Sequence, residues 1–440
     1  MIEVENKVQR YDAYKDSGVE WLGEIPEHWE LRRIKYLFNE INERSDNGNE
    51  DLLSVSQYTG VTNKSDKVEA GGMLTNALTL EGYKKVKKGD LVSNIMLAWN
   101  GSLGFSPFDG ITSPAYSIYR IYGENHNRYF HYLLRTELYK AEFKRNSSGV
   151  IESRLRLYTD DFFNIQSILP PLSEQTAIAQ FLDDKTTKID DAIAIKEQQI
   201  NLLKERKQIL IHKAVTRGLD DSVTLKDSGV EWIGEIPEGW KITYLKRYCL
   251  KVTDGSHHSP QTQYEGKSYI SVKDVNAFGE IDTINCKKIN QKDFDDLARN
   301  GCQPKKNDIL LTKDGTIGRA AIVNSDNDFV VLSSLGIITP DLNEFDSSFL
   351  RYYLISPLCV SQMYSLIAGS ALTRLTIEKI NRLFVIIPPL SEQKEIVEYI
   401  ETASQKIERA IGLKQQEIAK LKEYKRSLIN GVVTGKVRVC

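Results

Sequence analysis

The feature that most constrains this chain is that it is written twice. Residues 15–29 read KDSGVEWLGEIPEHW and residues 226–240 read KDSGVEWIGEIPEGW, identical at thirteen of fifteen positions. ILPPLSEQ at 168–175 returns as IIPPLSEQ at 386–393, and LKERKQILIHKAVT at 203–216 returns as LKEYKRSLINGVVT at 421–434. The offset is 211 for the first pair and 218 for the other two, so the second intervening segment is seven residues longer. Between the first and second landmarks the copies diverge widely. A repeated frame with changed contents predicts two units of one architecture that present different surfaces.

Each PPLSEQ reads as the start of a helix. The prolines stop the preceding strand, Ser173 or Ser391 is placed to cap, and Glu174 or Glu392 lies in the first turn, where a negative charge suits the helix dipole. About 40 residues without proline follow, ending near Gly218 and Gly435 as candidate C-caps, a length of roughly 60 Å. The apolar positions follow a heptad. In the first helix the seam holds Leu182, Ile189, Ile193, Ile200, Leu203 and Leu210, with Thr186 and Ala214; in the second it holds Ile400, Ile407, Ile411, Ile418, Leu421 and Leu428, with Ser404 and Val432. Lysines interrupt both seams in register, Lys196 and Lys207 in one, Lys414 and Lys425 in the other. A single apolar stripe on a long helix cannot bury itself, so each helix predicts a partner. The globular segment between the helices returns the chain for an antiparallel pairing. Two readings of the lysines stand: the seam slips toward solvent there, or the cations specify register.

The segments 25–170 and 236–388 carry mixed α/β signals. Strand-like runs include DLVSNIMLAW (90–99), AYSIYRIY (115–122), DILLT (308–312) and DFVVLSS (328–334), and a helix is expected late in each segment, at 128–145 and 348–366. Their turns carry groups suited to nucleic acid: SQYTG (56–60), KKVKK (84–88) and AWNGSLG (98–104), then TDGSHH (253–258) and TKDGTIGR (312–319). Lysine and arginine neutralise phosphates, while Asn, Gln, Ser, Thr and Arg read base edges. Such loops are also ordinary protein surface. The formal net charge of -2 argues against indiscriminate coating of nucleic acid, so affinity must come from local patches or partners.

Enzyme signatures come close and fail. NGVVTGKV (430–437) resembles a phosphate loop but ends a helix instead of opening one and has Val437 where a hydroxyl is required. No G-x-G-x-x-G, N-P-P-Y or D-P-P-Y occurs, and the E-x-K of PQTQYEGK (260–267) lacks the preceding P-D of nucleases. The adjacent His257 and His258 have no third ligand nearby, so no metal site is expected. The five cysteines, Cys249, Cys286, Cys302, Cys359 and Cys440, form no C-x-x-C pair and suit a reducing compartment. No apolar run is long enough to span a bilayer and no secretory leader is evident, so a cytoplasmic location is expected.

The repeated VEWxGEIPExW opening, the DGSH and GTIG turns, and heptad helices behind each PPLSEQ together resemble the specificity subunits of type I restriction-modification systems over essentially the whole chain. The resemblance implies an α/β (α+β) fold with a pseudo-two-fold internal repeat: a target-recognition domain at 1–170, a spacer helix at 171–217, a second target-recognition domain at 218–388 and a second spacer helix at 389–440. It implies that the domains read the two halves of a split, asymmetric double-stranded DNA site, with the antiparallel helices setting the unread gap. It also implies docking of two methyltransferase subunits and of motor-nuclease subunits. S-adenosylmethionine, ATP and magnesium belong to those partners, and this chain has no catalysis or cofactor of its own. By position, the expected DNA contacts are Asn100, Ser102, Arg154 and Arg156 in the first domain and Ser256, His257, Lys313, Thr316, Arg319 and Arg374 in the second. Arg156 and Arg374 correspond at offset 218, which suggests a shared phosphate role. The rival expectation is a coiled-coil scaffold that binds protein and leaves no DNA footprint.

Overall fold

The repeated opening motif folds the same way in both copies. The structure, a computed structural model, describes residues 9–67, 77, 79–151, 154–324, 328–367 and 374–439. Tyr14–Asp16 pairs antiparallel with Glu24–Pro26, and Leu225–Asp227 pairs likewise with Glu235–Pro237. Asp16 and Asp227 each accept a hydrogen bond from the glycine two residues on, Gly18 or Gly229, at 2.9 Å. Both glycines sit at positive φ, which side-chain-bearing residues adopt at a cost.

The chain divides into two compact units, Met1–Lys196 with Gln416–Cys440, and Glu197–Gln415. The division therefore runs through both long helices, not at their ends, because each helix end is packed into a domain core. In the first unit, strands β1 (Phe38–Ile41), β2 (Leu91–Asn94), β3 (Leu103–Phe105) and β4 (Tyr116–Ile121) form an antiparallel sheet in the order β1-β4-β2-β3. In the second, β5 (Cys249–Asp254), β6 (Ile309–Thr312), β7 (Ala320–Ile322) and β8 (Leu335–Pro340) repeat that order as β5-β8-β6-β7, again antiparallel. The first core is aromatic, with Trp29, Phe38, Tyr119, Tyr129, Phe130, Tyr139 and Phe143 buried together. The second is mainly aliphatic around Ile309, Leu311, Ile338, Phe345 and Phe349.

The late helix expected in each segment is in fact two: Asn127–Leu133 with Glu137–Arg145, and Ser347–Leu354 with Pro357–Ile367. The breaks have local causes. Thr136 caps the second helix of the first pair through Tyr139 N. In the other unit Ser356 Oγ accepts from Cys359 N, and Pro357 takes the first helical position, where no N–H is needed.

The long helices run Leu172–Arg217 (46 residues) and Leu390–Val433 (44 residues), each about 65–70 Å long. They start one residue before the serines, so Ser173 and Ser391 lie within the first turn and do not cap it. Gly218 and Gly435 follow at φ +81° and +75°, as C-caps require. Leu182, Ile189, Ile193 and Ile418 are buried in the first unit, with Leu421 and Leu428 half-buried; in the second, Ile200, Ile400 and Ile407 are buried, with Leu203, Leu210 and Ile411 half-buried.

The seam lysines Lys196, Lys207 and Lys425 reach across to the opposite helix. Lys196 Nζ lies 2.5 Å from Glu417 and Lys425 Nζ 2.6 Å from Asp190 in the first unit; Lys207 Nζ lies 2.6 Å from Glu408 in the second. The last two pairs are related by the 218 offset of the repeat. Residue numbers rise on one helix as they fall on the other, so the pairing is antiparallel and the cations mark its register. The pairs are partly solvated, so their worth lies in register more than in stability. In a double-mutant cycle of Lys207→Ala and Glu408→Ala, we expect a coupling of about 0.2–1 kcal/mol that shrinks as salt rises. A salt-independent coupling, or none, would assign the register to the apolar seam alone.

Candidate nucleic-acid interface

In the second unit, two strand ends and one later segment bring charged groups together. β5 ends at Asp254, β6 is followed by Lys313 and Asp314, and Arg374 forms a backbone bridge with Asp314. The Lys313 side chain is only 3% exposed and lies 3.5 Å from Asp254 Oδ2 and 3.3 Å from Asp314 Oδ2. Two carboxylates offset the cost of burying that ammonium. Arg374 donates through Nε to Asp314 Oδ1 (2.8 Å) and through Nη2 to Oδ2 (3.2 Å). These bonds hold its guanidinium still more firmly charged. His257, largely exposed, places Nε2 3.1 Å from Asp254 Oδ2.

The remaining expected residues of this domain fall around that cluster. Ser256 is buried, its N–H donating to Val331 O and its Oγ to His258 O (2.6 Å), so its hydroxyl shapes the DGSH turn. Thr316 is exposed at the tip of the GTIG turn. Arg319 closes that turn, its N–H on Thr312 Oγ1 (2.9 Å) and its Nη1 on Val275 O (3.1 Å).

The first unit uses the same location differently. Asn100 Oδ1 accepts from both the N–H (3.2 Å) and the hydroxyl (2.8 Å) of Ser102, which is buried. This pair shapes its turn, as Ser256 does in the other unit. Arg154 and Arg156 are exposed; Arg156 pairs through its backbone with Ser148 and makes no side-chain hydrogen bond to a described residue. Among the described residues close to them in the chain or across the Leu157–Ile95 backbone bond, Met96, Leu97, Val150 and Ile151 are exposed. Apolar side chains at a DNA surface suit thymine methyl groups. The KKVKK run is not a bare cationic patch: Lys84 is buried, which lowers its pKa, while Lys85 points toward Asp46 and Glu50 and Lys87 toward Glu43. His131 is likewise withdrawn, burial pushing its pKa down to about 3.

Sequence reasoning passed over Asp254 and Asp314, because the search was for cations and hydroxyls. Both acids stood within the DGSH and KDGTIG turns already singled out. Among the described residues, no group of three or more His, Cys, Asp or Glu is arranged to hold a metal ion.

A family model described as type I restriction modification DNA specificity domain matches residues 26–205 and again residues 252–423. A Methanocaldococcus jannaschii protein assigned as the MjaX specificity subunit of a type I restriction enzyme is 26% identical, the match covering 95% of this chain and 96% of that one. The EcoBI specificity subunit of Escherichia coli is 31% identical over 53% of this chain and 50% of its own length. Two solved structures share the fold. One, from work on complex assembly and conformational transition of the type I R-M system, gives a TM-score of 0.67 at 15% identity, covering 93% of this chain and 98% of that one. The HsdS subunit from Thermoanaerobacter tengcongensis gives 0.52 at 16% identity, covering 94% and 98%.

Proposed function

The chain belongs to the type I restriction-modification DNA specificity family, and from that membership we propose that it is the sequence-reading subunit of a type I complex. Each mixed α/β domain reads one half of a split, asymmetric site on double-stranded DNA. The paired helices set the unread gap and, with nearby surface, dock two methyltransferase subunits; motor-nuclease subunits join for cleavage. Catalysis and its cofactors, S-adenosylmethionine, ATP and magnesium, then reside in those partners. Among the described residues no helix is long and apolar enough to cross a membrane, and the proposed complex works in the cytoplasm, where the DNA is.

The observation that carries this reading is the pairing of one sheet order with two unlike loop surfaces. A symmetric dimer reads a palindrome through identical readers; two dissimilar readers on a duplicated frame match two dissimilar half-sites. Partner subunits that close on the duplex can supply the phosphate contacts that a near-neutral chain lacks.

The test is a single-molecule methylome of the host compared with a strain lacking only this gene. We expect one split, asymmetric adenine-methylated motif to vanish. An unchanged methylome, with the neighbouring methyltransferase expressed and active, would refute the proposal and bring the protein-binding scaffold forward.

A further inference from the structure

Arg156 and Arg374 occupy equivalent places: the residue after each donates its backbone N–H to the residue that follows the equivalent strand, Leu157 to Ile95 O and Leu375 to Lys313 O, both at 2.9 Å. The next position along that loop is Met96 in the first unit and Asp314 in the second. The two arginines are thus held by different chemistry. Arg156 is exposed and pairs with no carboxylate among the described residues, whereas Arg374 is fixed side-on by both oxygens of Asp314, which itself stands beside the buried Lys313.

We infer that Arg374 is a specificity-determining residue that reads a guanine in one half-site, with Asp314 as the residue that positions it. The inference rests on the proposed DNA-reading function and deepens it. A guanidinium has five N–H groups. Asp314 takes one on Nε and one on Nη2, which leaves the Nη1 edge and the second Nη2 hydrogen pointing away from the carboxylate, with no acceptor among the described residues. That fork matches the O6 and N7 acceptors of guanine in the major groove. A phosphate contact has no need of such restraint, because any nearby cation neutralises it. Lys313 Nζ also holds Asp314 Oδ2 and reaches Asp254, so the arginine is set by a charged network and not by a lone surface pair. Met96 supplies no such hold in the first unit, where Arg156 suits a phosphate contact.

The experiment uses the full chain assembled with its own methyltransferase subunits, and reads the methylated motif of wild type, Asp314→Asn and Arg374→Lys in cells. Lysine keeps the charge and loses the fork. We expect both variants to relax the same single guanine, discrimination there falling about tenfold or more, while the other half-site keeps its full sequence. If Asp314→Asn fails to assemble, Arg374→Lys alone decides. A motif that Arg374→Lys leaves intact, or relaxation spread over both half-sites, would overturn the inference. A wild-type complex that yields no split motif would instead defeat the proposed function itself.

Discussion

Replacing Trp240 with alanine is expected to destabilise the second unit by about 3–5 kcal/mol, and Trp29→Ala to do the same to the first. Each indole joins three landmarks of the repeat. Trp240 closes the second opening motif, donates Nε1–H to Glu392 of the second PPLSEQ (2.9 Å), and packs against Gly218, where a Cβ would lie 3.2 Å from its ring. Trp29 donates likewise to Glu174 (3.0 Å), and Gly435, behind the second long helix, is so close that a Cβ would lie 3.0 Å from the ring and 2.4 Å from Pro26. Truncation removes the largest buried side chain at the joint and leaves a cavity beside a carboxylate that loses a donor, although Glu174 keeps Tyr11 Oη (2.9 Å) and His28 Nε2 (2.6 Å). For a unit of this size, the melting temperature should fall by about 6–20 °C. A calorimetric transition within about 2 °C of wild type would mean the joint is held by something else.

The same joint shows what the sequence discloses and what it hides. The repeats, the heptads, the helix ends at Gly218 and Gly435 and the strands at 91–94 and 309–312 were legible, because local periodicity and turn chemistry fix them. The purpose of the VEWxGEIPExW motif was not, since Trp29 finds its acid 145 residues away. Gln175 and Gln393 were hidden for the same reason. Both are buried, and their amides satisfy backbone groups of the unit they sit in, at His126 N and Pro170 O in one unit and at Asp346 N, Glu344 O and Pro388 O in the other. A polar residue in a helix's first turn looks like surface until the fold surrounds it. The seam lysines gave two readings because a heptad shows which positions face the partner helix but not which acid faces back.

The loops of the candidate interface were legible in the sequence, but the hydrogen bonds inside them were not. Ser102 and Ser256 carry the right chemistry for base edges, yet the turns that present the loops consume their hydroxyls. Arg156 and Arg374 look alike in sequence because the frame around them is repeated. Their difference lies in Met96 and Asp314, residues far off along the chain and unremarkable until the backbone sets them side by side.

Inserting one heptad into both long helices, between Ile193 and Ile200 and between Ile411 and Ile418, is expected to lengthen the unread gap of the target while leaving both half-sites unchanged. Seven residues add about 10 Å of helix, close to three base pairs at 3.4 Å each. The insertion keeps the apolar seam in phase, because the repeat is itself seven residues. It also leaves Lys207 opposite Glu408 and Lys425 opposite Asp190, since those pairs lie outside the inserted turns. Inserting into one helix alone shifts one side of the seam past the other, so that one of those pairs must separate, and should destabilise the protein instead. Three further base pairs carry the second half-site about 100° around the duplex, so the doubly lengthened protein should direct slower methylation than wild type at its new target. The methylome of cells carrying it reads the outcome directly: a gap that stays at its wild-type length, or a half-site whose sequence changes, would mean that the helices do not set the spacing and that the readers are not independent of them.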